Sequence, residues 1–84
     1  MNDTQIQVFM VEDHPAVRQG LSLLLQQQSI VVTGEAESAA EAEKALETVP
    51  CDVVIVDISL AGDSGLALVE KLHARQPPLP CLVY

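Results

Sequence analysis

Eighty-four residues, 49% of them hydrophobic, supply one small domain with a core. Twelve acidic against four basic side chains give a formal net charge of −8. That balance argues against nucleic acid or an anionic membrane as a direct partner, since both must be met by Lys and Arg. Two cysteines, Cys51 and Cys81, each in an apolar run, do not make a disulfide scaffold.

The leading segment MNDTQIQV lacks the basic and apolar regions of a signal peptide. The apolar stretches fall far short of the roughly 20 residues that span a bilayer. The expected location is the cytoplasm, with both thiols reduced.

In chain order, IQVFMV (6–11) is a short apolar run that reads as a strand buried on both faces. Pro15 suits the first turn of a helix, where its missing N–H is not needed. Val17, Leu21, Leu24 and Leu25 then form one apolar stripe, extending to about residue 28. Gly20 inside that helix costs about 1 kcal/mol relative to Ala, which hints at close packing there. IVVTGEA (30–36) is a second strand, interrupted by Gly34. Ser38 and Glu41 have the spacing of a capping box. Ala42, Ala45, Leu46 and Val49 continue as the stripe of a second helix, ended by Pro50.

CDVVIVD (51–57) is the strongest strand in the chain, followed by a loop with two glycines over 59–65. Leu68, Val69 and Leu72 mark a third helix, which stops before Pro77. PCLVY (80–84) opens a fourth strand. The alternation β-α-β-α-β-α-β requires crossover connections, and hence a parallel sheet of right-handed βαβ units with helices on both faces. Ligands of such sheets bind beyond the carboxyl ends of the strands.

Strand one ends in Glu12 and Asp13, and strand three ends in Asp57. With these strands as neighbours, three carboxylates converge. Two such charges 4–5 Å apart repel by about 3–4 kcal/mol at an effective dielectric near 20. Raised pKa values, a basic side chain or a divalent cation would compensate them, and an oxygen-only donor set suits Mg²⁺. The bland alternative is that each acid is a solvated loop start. It suffices for any one of them, less so for three at matching strand ends.

The strings VFMVEDHPAVRQGL and CDVVIVDISLAGDSGL resemble the receiver domain of bacterial two-component response regulators. The EDHP run followed by VRxGL is most similar to the LuxR-type subclass, whose receivers are joined to a helix-turn-helix DNA-binding domain. The resemblance implies a three-layer, doubly wound, flavodoxin-like α/β fold with strand order 2-1-3-4. It also implies that Asp57 accepts a phosphoryl group from a sensor histidine kinase. Glu12, Asp13, Asp57 and the backbone carbonyl of Ser59 would bind Mg²⁺. Gly65 would be the loop glycine before helix three, free to take a positive φ.

Two departures stand out. Where the family usually has Pro four residues after the acceptor, this chain has Ala61. The family also continues past strand four with a Ser or Thr, a fourth helix, a fifth strand ending in Lys and a fifth helix. The 84 residues are thus expected to be a partial receiver without an output domain, impaired in phosphotransfer. Such a chain would self-associate through the open edge of strand four.

The remaining polar residues have plain readings. His14 is expected at the helix entrance and His73 on a solvated face. Cys51 and Cys81 are expected as core thiols, Asp63 as a turn residue, and Glu41, Glu43 and Glu47 as a solvated surface. Two other functions compete. A Mg²⁺-dependent phosphohydrolase would want a second Asp two residues after the first, where Ser59 stands. A phosphorylation-independent interaction or dimerisation module would need no metal.

Overall fold

The computed structural model describes residues 5–60 and 65–84. Ala61, and Asp63 with its expected place in a turn, lie outside the described residues. The elements are β1 (Gln7–Val11), α1 (Pro15–Gln27), β2 (Val31–Ala36), α2 (Ala39–Ala45), β3 (Val53–Val56), α3 (Gly65–His73) and β4 (Cys81–Val83). The four strands form one parallel sheet in the order β2-β1-β3-β4, the flavodoxin-like arrangement.

Alternation along the strands divides the sheet into two faces. Phe9, Val11, Val54 and Val56 point one way and meet Ala39, Ala42 and Leu46 of the α2 segment. Leu60, Leu68 and Leu72 close the same cluster from the α3 side. Burying each of the larger side chains contributes about 1.5–3 kcal/mol. Val8, Met10 and Ile55 alternate with that set and are also buried, so β1 and β3 are covered on both faces. This is why they read as unbroken apolar runs.

Gly34 interrupts β2 because of the neighbouring strand. A Cβ there would sit 2.7 Å from the Phe9 ring, and the β1–β2 register shifts between Val8 and Phe9. Helix α2 starts with the predicted Ser38 cap, but the Glu41 carboxylate reaches back one residue further than a capping box has it. The Glu41 amide donates to Ser38 Oγ at 3.2 Å, and the Glu41 carboxylate accepts from the Glu37 amide at 3.0 Å. The regular helix ends at Ala45, sooner than its apolar stripe suggests. Thr48 and Val49 both donate to the Ala45 carbonyl in a closing turn, and Pro50 disfavours helical geometry at the residue before it.

Helix α1 departs from its predicted orientation. Leu21 and Leu25 are half-buried, but Val17 is 42% and Leu24 59% exposed. The inward flank is Arg18, Leu21, Ser22 and Leu25, rolled by about 65° from the centre of the stripe at 3.6 residues per turn. Polar contacts explain the roll. Arg18 Nε pairs with Glu35 at 3.2 Å, Ser22 Oγ donates to Glu35 at 3.1 Å, and Arg18 Nη1 donates to the Glu12 carbonyl at 2.8 Å.

Both cysteines are free and half-buried. His73 is exposed on α3. Glu41 and Glu47 are exposed, whereas Glu43 is half-buried and pairs with Lys71 at 3.1 Å.

Two glycines have roles other than those their positions suggested. Among the described residues, nothing beyond Gly20's chain neighbours and its own helix backbone lies within 4 Å of a Cβ built there, so no close packing against another element explains it. Gly65 is the first residue of α3 rather than a positive-φ loop residue, and its requirement is space. A Cβ there would stand 2.8 Å from the Asp57 carbonyl oxygen, a backbone atom that cannot swing away. Gly20→Ala is expected to raise stability by up to about 1 kcal/mol. Gly65→Ala is expected to lower it by about 1–3 kcal/mol. Chemical denaturation of the two variants beside the parent protein checks both signs.

Candidate functional site

Strand register builds the site. Val11, Val56 and Val83 lie in one row across β1, β3 and β4. The next row places Glu12, Asp57 and Tyr84 side by side at the carboxyl edge of the sheet. Its backbone is tied by Asp57 N to Val11 O at 3.0 Å, Tyr84 N to Val56 O at 3.1 Å and Ile58 N to Tyr84 O at 3.0 Å. On the other flank, Glu12 N donates to Ala36 O of β2 at 3.0 Å.

On this frame Glu12 is 1% and Asp57 7% exposed, and Asp13 is half-buried. One ligating atom from each of Glu12, Asp13, His14 and Asp57 lies within 4.8 Å of the others. Carboxylate charges at that separation repel by about 3 kcal/mol per pair at an effective dielectric near 20. The cluster therefore calls for positive charge or hydrogen-bond donors, and the chain supplies several.

His14 caps the entrance of α1, yet its side chain does not cap the helix. It turns to the acids instead: Nδ1 lies 2.7 Å from Glu12 Oε2 and 2.9 Å from Asp13 Oδ1. The same nitrogen is 3.9 Å from Asp57 Oδ2. Hydrogen bonding to Glu12, with the charge of Asp13 beside it, raises the imidazole above its ordinary value. Its backbone amide also donates to Glu12 Oε2 at 3.0 Å. Position in a helix-entry loop says nothing about where an imidazole points, so the plain reading of His14 missed these contacts.

Asp57 is held from below by Ser59. The Ser59 amide donates to Asp57 Oδ1 at 3.0 Å and the hydroxyl to the same oxygen at 2.9 Å. The Ser59 amide is the main reason the Asp57 carboxyl lies below the ordinary carboxylate range. Burial opposes it, while the Ser59 hydroxyl, Glu12 and His14 add to the lowering. Asp57 thus stays ionised in a nearly closed site.

Tyr84 is a member that sequence reasoning missed. Its hydroxyl donates to Glu12 Oε1 from β4, two strands away. Burial, then the hydrogen bond to Glu12, push the phenol far above its ordinary value, so it serves as a donor. In the sequence Tyr84 was the apolar end of a strand, and nothing local pointed to a polar role.

The model for the response regulator receiver domain matches residues 8–84 of this chain. The chain is 39% identical over 79 residues to the DNA-binding transcriptional activator DevR/DosR of Mycobacterium tuberculosis, covering 93% of this chain and 36% of that protein. Among solved structures it superposes on a LuxR-family two-component response regulator from Aurantimonas sp. SI85-9A1 with a TM-score of 0.88 at 26% identity, covering 95% of this chain and 58% of that one. It superposes on the isolated receiver domain of RcsB from Salmonella enterica serovar Typhimurium with a TM-score of 0.85 at 28% identity, covering 95% and 61%. The chain spans about a third of the length of the curated relatives it matches. With this sheet order, this acidic edge and a family match over nearly all of its length, the chain belongs to the response regulator receiver domains of two-component signalling systems.

Proposed function

We propose that Asp57 accepts a phosphoryl group from a sensor histidine kinase, with Mg²⁺ held by Glu12, Asp13, Asp57 and the Ser59 carbonyl. The observation that carries this reading is the meeting of the three carboxylates at one sheet edge, in a chain of the receiver family. Their oxygen donors suit a hard divalent cation.

Asp57 supplies the attacking oxygen. An O–P bond forms as the P–N bond of the kinase's phosphohistidine breaks, and the electron pair leaves with the imidazole. Ser59 orients the acceptor through its amide and hydroxyl and keeps it ionised. Bound Mg²⁺ supplies charge neutralisation between the carboxylate and the anionic phosphoryl group. Receiver domains are signalling modules rather than conventional enzymes. The proposed chemistry is accordingly limited to assisting the domain's own phosphorylation and dephosphorylation.

The proposal places this segment in the cytoplasm, upstream of a DNA-binding output domain outside these 84 residues. No helix among the described residues is long and apolar enough to cross a membrane. The net charge of −8 argues against direct nucleic-acid binding by the segment itself. The basic residue nearest the acceptor among the described residues is His14, while Lys71 is engaged with Glu43. Phosphotransfer to these 84 residues alone is therefore proposed to be slow.

Three outcomes follow. Incubation with a small phosphodonor and Mg²⁺, followed by intact mass, is expected to show slow gain of one phosphoryl group that Asp57→Asn abolishes. Gain that survives Asp57→Asn would overturn the acceptor assignment. Asp13→Asn removes one repelling charge. It is expected to raise the thermal midpoint in chelator while weakening Mg²⁺ binding roughly tenfold or more. Light scattering across a concentration series is expected to show self-association through β4, an edge strand whose Leu82 is 59% exposed. A monomer at high concentration would refute the last of these.

A further inference from the structure

Glu12 is among the most enclosed side chains of the protein, and both of its oxygens are engaged. Oε2 accepts from the His14 amide at 3.0 Å and lies 2.7 Å from His14 Nδ1. Oε1 accepts from the Tyr84 hydroxyl. A cation coordinated by Glu12 draws electron density from the oxygen it binds and repels the positive end of any N–H or O–H dipole already donating to that oxygen, so it weakens the hydrogen bond there. The His14 amide is fixed by the entrance of α1, so Oε2 keeps a donor even when the imidazole moves. Oε1 is different: its donor is a single side chain, on a residue that is 44% exposed.

The anchor of that ring is fixed. Backbone bonds to Val56 and Ile58 hold Tyr84 at the end of β4, so release of the hydroxyl is a rotation of the side chain rather than a movement of the strand. The hydroxyl and a coordinated cation would draw on the same oxygen, Oε1, and each weakens the other's hold on it.

We propose that the Tyr84 hydroxyl and a divalent cation compete for the Glu12 carboxylate, so that Tyr84 sets how tightly the site takes the cation and reports its arrival at the β4 edge. The proposal rests on the cation reading of the carboxylate cluster. Tyr84 acts here as a positioning residue: it holds Glu12 in the cation-free form and touches no reacting atom. An interaction made only in the cation-free state must, by linkage, weaken cation binding.

The protein carries its own probe, since Tyr84 is its only tyrosine and it has no tryptophan. A phenol hydrogen-bonded to a carboxylate emits weakly, and release of that bond raises the emission. Mg²⁺ alone is titrated into the full 84-residue chain and into Tyr84→Phe, with heat measured for both and tyrosine emission for the parent. The emission is expected to rise with the same midpoint as the heat. Tyr84→Phe is expected to bind Mg²⁺ about three- to tenfold more tightly, with an unchanged circular dichroism spectrum. That range lies below the full worth of a hydrogen bond to a charged group, because water replaces part of it.

Calorimetric binding with flat emission, or equal or weaker binding by Tyr84→Phe, would overturn the competition while leaving the cation site intact. Absence of heat in both proteins would remove the cation reading and the competition together. Binding by the Phe variant alone would support the competition in its strongest form.

Discussion

The parallel pairing of β1 with β3 is the constraint on which the rest of the structure depends. Because Val11 lies opposite Val56, the residues that follow them, Glu12 and Asp57, leave the sheet together. The bond from Asp57 N to Val11 O locks that alignment one step beyond the regular strands. A one-residue slip would turn Asp57 toward the opposite face and bury Val56 or Ile58 in its place. The core therefore specifies the site. Val54 and Val56 on β3, with Phe9 and Val11 on β1, stabilise only the register that also brings the acids together.

Collecting negative charge at a buried edge opposes folding, and the structure offsets this with donors from each neighbouring element. His14 comes from the entrance of α1, Ser59 from the loop after β3, and Tyr84 from the end of β4. Arg18 adds a bond to the Glu12 carbonyl, which holds the backbone of the turn rather than its charge. The acids are thus individually solvated by protein groups.

Helix α1 shows the same priority of polar contacts over apolar patterning. Its stripe alone would have seated Val17 and Leu24 on the sheet, but Glu35 on β2 draws Arg18 and Ser22 inward and rolls the helix. The resulting exposed flank adjoins a sheet face on which Leu82 is also exposed. On the opposite face, α2 and α3 contribute mainly Ala and Leu, and apolar burial decides their orientation.

Much of this was legible in the amino-acid order, because it is written in local chemistry. Hydrophobic period separates the strands from the helices, Ser38 and Glu41 cap α2, and continuous apolar runs mark β1 and β3 as doubly covered. The acids at positions 12, 13 and 57 could be named as strand ends, and family resemblance supplied their expected roles. The orientation of His14, the roll of α1, the steric need for Gly65 and the reach of Tyr84 across β3 were not legible. Each depends on atoms distant in sequence: Asp57 stands behind Gly65, Glu35 beside Arg18, and Glu12 is 72 positions from Tyr84. Periodicity reports which way a side chain faces its own element. Only the assembled sheet decides which foreign groups it meets there, since a hydrogen bond is set by distance and direction in space.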